Sequence, residues 1–399
     1  MAAAPLDAIS VEDDAGAHTY GELAAAAADA RHRAPHGGQV TVRSTPAWDV
    51  AVAFAGLDGW AANVYLVGAR DVRDPDPGDT HRGPGSAATR WHLYTSGTTG
   101  EPKPFSHTVR SLTRTVRARE HGNPPYDWGL LYSPVSMAGV QVLLHALGTG
   151  GRLLDATGLP RLTDRVEWLV AHGVTALSAT PTLWRQTLQT PASRQLRLRQ
   201  VTLGGEIADQ PLLDALRRAH PHARITHVFA STETGAAFSV SDGRAGFPRA
   251  FLTDPPSGIR LDVRDGVLYV EAPQAGAAGP DGFAPTGDVV TVSGDRVYFL
   301  GRATGVANVG GVKVWPEQVE TVLRHHPDVS DTLVSVRRNP FSGSILTAEV
   351  VATAEADVSR LGALLRAYCA QQLEPAAVPA IVHVVPRLTV TANGKAGRR

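Results

Sequence analysis

Short apolar runs alternate with stretches of helix-forming residues in the part of the chain that ends near Ala230. The apolar runs predict strands at Val40–Val42, Leu130–Ser133, Val174–Ser178, Val201–Leu203 and Ile225–Ala230. The other stretches predict helices at Leu23–Ala30, Ala47–Leu57, Val140–Leu147, Val166–Ala171 and Pro211–Ala219. Strands that alternate with helices in this way favour a mainly parallel sheet with helices on both faces.

The pattern changes further along the chain. Two hairpins are expected where apolar runs flank tight polar turns, within Ile259–Val270 and within Val289–Leu300. After Gly301 the pattern predicts a helix at Pro316–Arg324, strands at Thr332–Arg337 and Leu346–Val351, a helix at Val358–Gln372 and a strand at Ala380–Val384. The expected fold class is therefore α/β. The pattern places a boundary at Arg302: a large N-terminal domain, residues 1–301, is expected to have mixed, mostly parallel sheets with helices plus an antiparallel β part, and a small C-terminal α+β domain is expected at 302–399.

Charge and composition exclude several classes of protein. Lys plus Arg number 38 and Asp plus Glu number 38, so the formal net charge is zero. A nucleic-acid or membrane-surface binder needs a basic excess, so neither partner is expected. No apolar run approaches the roughly 20 residues that span a bilayer, and the start lacks a signal peptide's basic region, so we expect a cytoplasmic protein. The single cysteine, Cys369, excludes a disulfide framework within one chain and is expected to be buried.

The clearest chemical signal follows the apolar strand start Trp91–Leu93. The segment reads T-S-G-T-T-G-E-P-K, from Thr95 to Lys103. Glycines let backbone N–H groups approach an anion, hydroxyl groups add donors, and the lysine adds positive charge. The residues that would act in this way are Thr95, Ser96, Gly97, Thr98, Thr99, Gly100 and Lys103. They indicate a phosphate-binding loop whose spacing differs from that of a P-loop, with a flexible polar loop as the alternative.

This string resembles the phosphate-binding signature of the adenylate-forming superfamily, which includes acyl-CoA synthetases, adenylation domains of peptide synthetases, and luciferases. Members join a carboxylate to AMP and usually hand the acyl group to a thiol. The family's other motifs follow here in the family's order, between Thr95 and Lys395. The resemblance therefore extends over nearly the whole chain.

The resemblance implies a nucleotide site beyond the loop. Gly204-Gly205-Glu206 is similar to the family's turn beside adenine, and His227 falls where an adenine-contacting Asn is usual. Phe229-Ala230-Ser231-Thr232-Glu233 is similar to the Y-G-x-T-E motif, in which Thr232 would contact the α-phosphate and Glu233 would help hold Mg²⁺. Asp288, in a T-G-D motif, would accept hydrogen bonds from both ribose hydroxyls.

The last motifs of the resemblance imply that the C-terminal domain, 302–399, is a mobile lid. Arg302 would bind ribose, Gly310 and Gly311 would line a thiol tunnel, and Lys395 would bridge the carboxylate and the α-phosphate. Where the family usually has a hinge Asp two places after the Arg, this chain has Thr304. We expect domain rotation about Arg302–Gly305 nonetheless.

The acid and the acceptor are left open by the sequence. By resemblance Ser136, Met137 and Gly235 line the acid pocket together with the small residues Gly204, Gly205, Ala230 and Ser231, which would admit an aryl or a short-to-medium acyl acid. Ser136 stands where many relatives carry a gate His. The expected enzyme uses ATP and Mg²⁺ to make acyl-AMP from a small carboxylic acid, releases pyrophosphate, and transfers the acyl group to CoA or to carrier-protein phosphopantetheine. The alternatives are an acyl-AMP-dependent amide synthetase and a catalytically inactive nucleotide-binding regulator.

Overall fold

A computed structural model describes most of the chain. The described residues are 4–43, 46–68, 88–94, 104–114, 116, 124–231, 235–256, 258–271, 279, 281–339, 343–389, 395 and 397. The chain divides into two compact units. Unit 1 is Met1–Ala179, Gln186–Gly205 and Ala219–Ser239, and unit 2 is Thr180–Arg185, Glu206–Arg218 and Val240–Arg399.

The first twelve strands and first five helices belong to unit 1, apart from the last residue of the twelfth strand. The strands are β1 (Ile9–Asp13), β2 (Ala17–Thr19), β3 (Gln39–Arg43), β4 (Asn63–Val67), β5 (Arg90–Tyr94), β6 (Pro104–His107), β7 (Trp128–Leu130), β8 (Leu153–Asp155), β9 (Ala176–Ala179), β10 (Gln200–Gly204), β11 (Arg224–Ser231) and β12 (Gly235–Val240). The helices are α1 (Tyr20–Arg33), α2 (Ala47–Leu57), α3 (Val109–Leu112), α4 (Met137–Gly148) and α5 (Leu162–Ala171).

Two sheets organise unit 1. The larger has eight strands in the order β12-β11-β10-β9-β7-β8-β1-β2, and the pairs from β11 through β1 are parallel. The smaller has four strands in the order β3-β4-β5-β6, parallel except for the last pair. Parallel pairs joined through helices confirm the expected α/β class.

One buried core in unit 1 includes residues of both sheets and of α1, α2 and α4. At its centre the rings of Phe54 and Trp91 stack with their centroids 3.8 Å apart, and Trp91 is fully buried. Such aromatic pairs add about 0.5–1.5 kcal/mol beyond the area that they bury. The core therefore holds β5, the strand that leads to the Thr95–Lys103 segment, firmly in place.

Helix α1 shows how local sequence fixes an element. Thr19 accepts a hydrogen bond from the backbone N–H of Glu22, and the Glu22 carboxylate accepts one from the backbone N–H of Thr19. This reciprocal capping box satisfies two backbone donors that the helix itself leaves unbonded. Because its signature is readable from the sequence, the helix was predicted, although it extends beyond Leu23–Ala30 at both ends.

Unit 2 holds the later strands and helices. Helix α6 (Pro181–Gln189) begins in unit 2, and α7 (Gln210–Ala219) lies in it except for its last residue. The remaining elements are β13 (Phe247–Pro248), β14 (Leu261–Arg264), β15 (Val267–Glu271), β16 (Phe283–Ser293), β17 (Arg296–Arg302), β18 (Ala307–Val309), β19 (Val312–Val314), α8 (Pro316–Arg324), β20 (Val329–Asn339), β21 (Gly343–Ala352), α9 (Val358–Gln372) and β22 (Ile381–Val384).

The strands of unit 2 form three sheets. The two expected hairpins are confirmed and join one five-stranded sheet, β13-β17-β16-β15-β14, while β18 and β19 pair with each other. Strands β20, β21 and β22 form the third sheet, and a buried core combines them with α8 and α9. Cys369 lies in this core and is fully buried, as expected, and burial raises the pKa of its thiol to about 11.

One predicted strand was misplaced. The apolar run Leu130–Ser133 was expected to be a strand, but β7 starts at Trp128 and ends at Leu130. Beyond it the chain bends, and the carbonyl of Ser133 accepts hydrogen bonds from the backbone N–H and the hydroxyl of Ser136, which begins α4. The run is buried because it packs into the core, not because it continues the sheet.

Candidate functional site

The segment Thr95–Lys103, with its seven predicted phosphate-binding residues, lies outside the described residues. So do Thr232 and Glu233. The strands on either side of the segment are described: Tyr94 at the end of β5 is paired with Pro104 at the start of β6 in an antiparallel register. The predicted phosphate loop therefore connects two directly paired residues at the edge of the smaller sheet.

The predicted adenine-binding turn follows β10. This strand is parallel to β11, with Leu203 opposite His227 and Gly204 opposite Val228. Gly205 has a φ of +80°, in the left-handed region that favours glycine. The turn thus leaves the carboxyl end of a parallel strand, the edge of an α/β sheet where ligands commonly bind.

Glu206 has a defined partner in unit 2. Its Oε2 accepts a hydrogen bond of 2.9 Å from the backbone N–H of Thr182, in the first turn of α6. A carboxylate is well suited to this position, since it satisfies a donor that the helix leaves unbonded and faces the positive end of the helix dipole. Glu206 is therefore bonded to the first turn of α6, within unit 2.

The predicted Phe229-Ala230-Ser231 segment forms the end of β11. The ring of Phe229 is stacked on that of Phe238 in β12, with centroids 5.2 Å apart and ring planes 14° apart. Gly235 begins β12. The aromatic residue that replaces the family's usual Tyr thus packs on a second ring.

Ser136 begins α4. Its hydroxyl accepts a hydrogen bond of 3.1 Å from the backbone N–H of Gly139 and donates one of 2.7 Å to the carbonyl of Ser133. Met137, the next residue, is partly buried and packs on the core of unit 1. The residue at the usual gate position is thus a helix cap, and its predicted place in the acid pocket stays a prediction.

Asp288 and Arg302 face each other across the β16–β17 hairpin. The register shifts between Val289 and Val290, and this irregularity sets Asp288 opposite Arg302. Arg302 Nη1 donates to Asp288 Oδ2 over 3.1 Å and to the carbonyl of Thr286 over 2.8 Å. The two predicted ribose ligands are therefore adjacent.

The hydroxyl of Thr286 fixes the backbone beside Asp288. It donates a hydrogen bond of 2.9 Å to the carbonyl of Leu268 and accepts one of 3.1 Å from the backbone N–H of Asp288. Sequence reasoning treated Thr286 only as part of the T-G-D string and did not give it this role. A hydroxyl two residues before an acid was the available signal.

Burial raises the pKa of Asp288, and the charges of Arg302 and Lys395, with a hydrogen bond to Thr286, only partly offset it. The charge of Lys395 therefore acts on Asp288, which lies more than a hundred positions earlier. Near Lys395, the backbone N–H of Gly397 donates a hydrogen bond of 2.9 Å to the carbonyl of Thr389. The structure thus pairs Asp288 with Arg302, and Lys395 belongs to the same unit.

Gly310 and Gly311 form the turn between β18 and β19. Their φ angles are +58° and +90°, and the backbone N–H of Gly311 donates a hydrogen bond of 2.9 Å to Asn308 Oδ1. No described atom lies within 4 Å of where a Cβ would stand on either glycine. Backbone conformation, and not crowding by described neighbours, explains glycine at these two positions.

Two negative findings apply to the described part of the chain. None of its helices is long and apolar enough to cross a membrane. Among the same residues, no group of three or more His, Cys, Asp or Glu side chains is placed to hold a metal ion. Because the predicted Mg²⁺ ligand Glu233 is not described, its fit to the metal stays a prediction.

Two family models and a curated relative match most of the chain. Residues 68–268 match the family described as AMP-binding enzyme, and residues 318–395 match the AMP-binding enzyme C-terminal domain. A probable 2-succinylbenzoate–CoA ligase from Mycobacterium tuberculosis is 30% identical over 331 residues, which cover 77% of this chain and 82% of that enzyme.

Two further proteins extend the comparison. The probable nonribosomal peptide synthetase CymA from Salinispora arenicola is 29% identical over 366 residues, which cover 83% of this chain but only 5% of that protein. Among solved structures, the amide bond synthetase McbA from Marinactinospora thermotolerans superposes with a TM-score of 0.72 at 20% identity, covering 97% of this chain and 95% of that one. At this identity the likeness concerns the fold.

Proposed function

The chain belongs to the AMP-binding enzyme family, within the adenylate-forming superfamily, and on that premise we propose that it activates a small carboxylic acid as acyl-AMP. The reaction uses ATP and releases pyrophosphate, and the acyl group then passes to a thiol, either CoA or the phosphopantetheine of a carrier protein. The acid is an aryl or a short-to-medium acyl acid.

One observation carries this proposal: Asp288 is paired with Arg302 over 3.1 Å, and both residues belong to the same compact unit as Lys395. A carboxylate that could hold the ribose of a nucleotide and a lysine that could act at its α-phosphate thus belong to the same unit of the structure. Catalysis of phosphoryl and adenylyl transfer depends chiefly on positioning and on neutralising charge. In the proposed reaction, Asp288 and Arg302 position the nucleotide and Lys395 neutralises charge.

In the proposed first step, Asp288 accepts hydrogen bonds from the ribose hydroxyls and Arg302 holds that carboxylate in place. Lys395 donates to the carboxylate of the acid and to an α-phosphate oxygen, and so offsets the negative charge that increases as the acid attacks phosphorus. Glu233 would hold Mg²⁺, which would neutralise part of the phosphate charge.

In the proposed second step, the C-terminal part of the chain rotates about Arg302–Gly305. The Gly310–Gly311 turn replaces Lys395 beside the acyl-AMP and leaves room for a thin thiol arm. The thiolate attacks the acyl carbon, the C–O bond to the phosphate breaks, and AMP leaves with the electron pair. The residues that hold the nucleotide are then free for the next cycle.

The acceptor is the part of the proposal that an assay must decide. The relatives include a probable CoA ligase and a peptide synthetase, which favour CoA and a carrier protein respectively. An amine acceptor would give an amide instead. Purified enzyme with ATP and its acid should be offered CoA, a phosphopantetheinylated carrier protein and a set of amines, and the acylated product should be identified by mass spectrometry.

The first step is tested by ATP–pyrophosphate exchange driven by a panel of aryl and short-to-medium acyl acids. We expect exchange with at least one class of acid and none without acid. If ATP binds but no acid drives exchange, the proposal is wrong and the chain is a nucleotide-binding regulator. Lys395→Arg, which keeps the charge but changes the reach of the side chain, serves as a matched variant whose exchange should fall.

A further inference from the structure

A second group of charged side chains in unit 2 takes no part in the site described above. It consists of Arg185, Asp209, Glu320, Arg324 and Asp331, and we refer to it as the latch cluster. These five side chains are between 2% and 11% exposed. Charged side chains are rarely buried to this extent unless they are paired, so the cluster requires an explanation.

Arg324 lies at the centre of the latch cluster. Its Nη1 is 3.4 Å from Asp209 Oδ2 and 3.5 Å from Glu320 Oε2, and its Nε is 3.3 Å from Asp331 Oδ1. Its Nη2 donates a hydrogen bond of 2.6 Å to the carbonyl of Thr332. The guanidinium therefore uses all three of its nitrogens.

Arg185 is the second arginine of the latch cluster. Its Nη2 is bonded to Asp209 Oδ2, and its Nε lies 3.6 Å from Asp331 Oδ1. Asp209 and Asp331 thus each contact both arginines. Two positive charges stand among three carboxylates, and each carboxylate has at least one arginine partner.

The carboxylates are also bonded to backbone groups. Asp209 Oδ1 accepts a hydrogen bond of 3.1 Å from the N–H of Leu212 in α7, and Glu320 Oε1 accepts one of 2.9 Å from the N–H of Val334 in β20. The cluster therefore ties α6 and α7 to α8 and β20.

The latch cluster also reaches the predicted adenine turn. Burial acts to lower the pKa of Arg324, but the charges of Glu320, Asp331, Asp209 and Glu206 raise it above the ordinary value. Glu206 is the acid of the Gly204-Gly205-Glu206 turn, which is hydrogen-bonded to α6. The charge of Glu206 thus makes a minor contribution at Arg324, after those of the three latch carboxylates.

The electrostatic cost of separating the ion pairs favours two states of the latch cluster, closed and open. Removing one partner from a buried ion pair leaves an uncompensated charge and is strongly unfavourable. A movement that parted α8 and β20 from α6 and α7 would separate several pairs together and would expose all the charges to water. Partial separation would be worse than either end state, so the cluster is either closed or fully open.

We propose that the latch cluster positions Lys395 for acyl-AMP formation, by holding α8 and β20 in the arrangement in which Lys395 acts on Asp288, and that it opens when the chain rotates for acyl transfer. This inference rests on the proposed two-step function. Arg185, Asp209 and Arg324 are positioning residues, which act through Lys395 and do not touch the reacting atoms.

The test compares the two half-reactions in Asp209→Asn and Arg324→Lys variants. Acyl-AMP formation is measured by pyrophosphate exchange, transfer is measured from pre-made acyl-AMP, and both rates are divided by the folded fraction. Because coupled buried groups lose more than a single contact when one partner changes, we expect exchange to fall by about tenfold or more, which corresponds to about 1.4 kcal/mol or more. Acyl transfer should be unchanged or faster. It needs the rotated arrangement, which the closed latch cluster no longer disfavours in these variants.

Asp242→Asn is the matched control. It removes the carboxylate that is bonded to the buried guanidinium of Arg296, also in unit 2 and outside the latch cluster. This variant should change both half-reactions by the same factor. If the latch variants also reduce both by one common factor, the cluster only stabilises the fold and the inference is overturned.

A conformational measurement separates this inference from the proposed function. Hydrogen exchange at Ala303–Gly305, which needs no turnover, should be faster in both latch variants than in wild type or Asp242→Asn. Unchanged exchange there would overturn the latch even in an active enzyme. Failure of wild type to exchange pyrophosphate with any acid would instead overturn the proposed function. If Asp209→Asn does not fold, the half-reaction rates and the hydrogen exchange are both measured on Arg324→Lys, which keeps the charge.

Discussion

Two groups of arginine and acidic side chains in unit 2, one around Asp288 and the other the latch cluster, have opposite character. Around Asp288, the side chain of Arg302 is 57% exposed and that of the aspartate 18%. In the latch cluster no side chain is more than 11% exposed. The same residue types therefore form an open pair in one place and a closed network in the other.

The difference in exposure is accompanied by opposite pKa shifts of Asp209 and Asp288. Burial acts to raise the pKa of Asp209, but Arg185 and Arg324 outweigh it and the pKa is lowered. Burial also raises the pKa of Asp288, and there Arg302 and Lys395 do not outweigh it. An acid short of compensating charge is suited to accept hydrogen bonds from a ligand, whereas a fully compensated acid stabilises the fold.

The strongest effect is expected on stability, from Asp209→Asn. The substitution leaves two buried guanidinium groups with less negative charge, which should reduce the free energy of unfolding by about 3–5 kcal/mol. Urea denaturation monitored by circular dichroism measures this loss. A loss below about 1 kcal/mol would mean that the latch cluster is solvated and that the contrast with Asp288 is false.

Lys395→Ala is expected to slow acyl-AMP formation by at least about a hundredfold, the usual effect of removing one charge that stabilises a transition state. Transfer from pre-made acyl-AMP should stay largely intact. Pyrophosphate exchange and single-turnover transfer measure the two steps. Equal loss in both would contradict the proposed exchange of Lys395 for the glycine turn.

Asp288→Asn should have opposite effects on activity and on stability. Losing a charged acceptor for the ribose should lower kcat/KM for ATP by about tenfold. At neutral pH the ionised acid is disfavoured in the folded state, so its neutral analogue should raise the thermal midpoint by roughly 1–3 °C. Steady-state kinetics and thermal denaturation of the same preparation provide both values. A lowered midpoint would show that Asp288 is fully compensated, like Asp209.

The stability of the protein should also depend on pH, with opposite signs for the two acids. Asp209 has a lowered pKa, so its contribution to stability is present above its unfolded pKa and is lost as pH falls through its folded pKa. Asp288 has a raised pKa, so its unfavourable contribution is relieved as pH falls through that higher value. Thermal midpoints of wild type and each Asn variant between about pH 8 and about pH 3 should therefore converge at low pH, from opposite sides.

Much of the fold could be predicted because its signals are local. Helices α8 and α9 begin and end where their apolar periodicity predicts. Asp357 caps α9 through a hydrogen bond from the backbone N–H of Ser359. The positions of the site motifs along the chain were likewise readable as strings. Strand boundaries such as those of β7 were less accurate, because an apolar run does not show whether it is paired or merely packed.

The remaining features depend on contacts between distant residues. The pairing of Asp288 with Arg302 depends on a register shift between Val289 and Val290, which the alternation of apolar residues does not encode. The latch cluster joins residues of α6, α8 and β20 with Asp209, and no local pattern distinguishes its charges from those on a solvated surface. Such groups are recognisable only once the fold has brought them together.

The grouping of Thr180–Arg185 and Glu206–Arg218 with the later part of the chain has a practical consequence for building chimeras. A graft that exchanged everything after Gly301 for the corresponding segment of a relative would keep Arg185 and Asp209 but replace Glu320, Arg324 and Asp331. Mismatched charges would then be buried at the junction. The donor segment should therefore carry acids and an arginine that complement Arg185 and Asp209 of the host, either naturally or after redesign. This match should be considered before the donor's substrate preference.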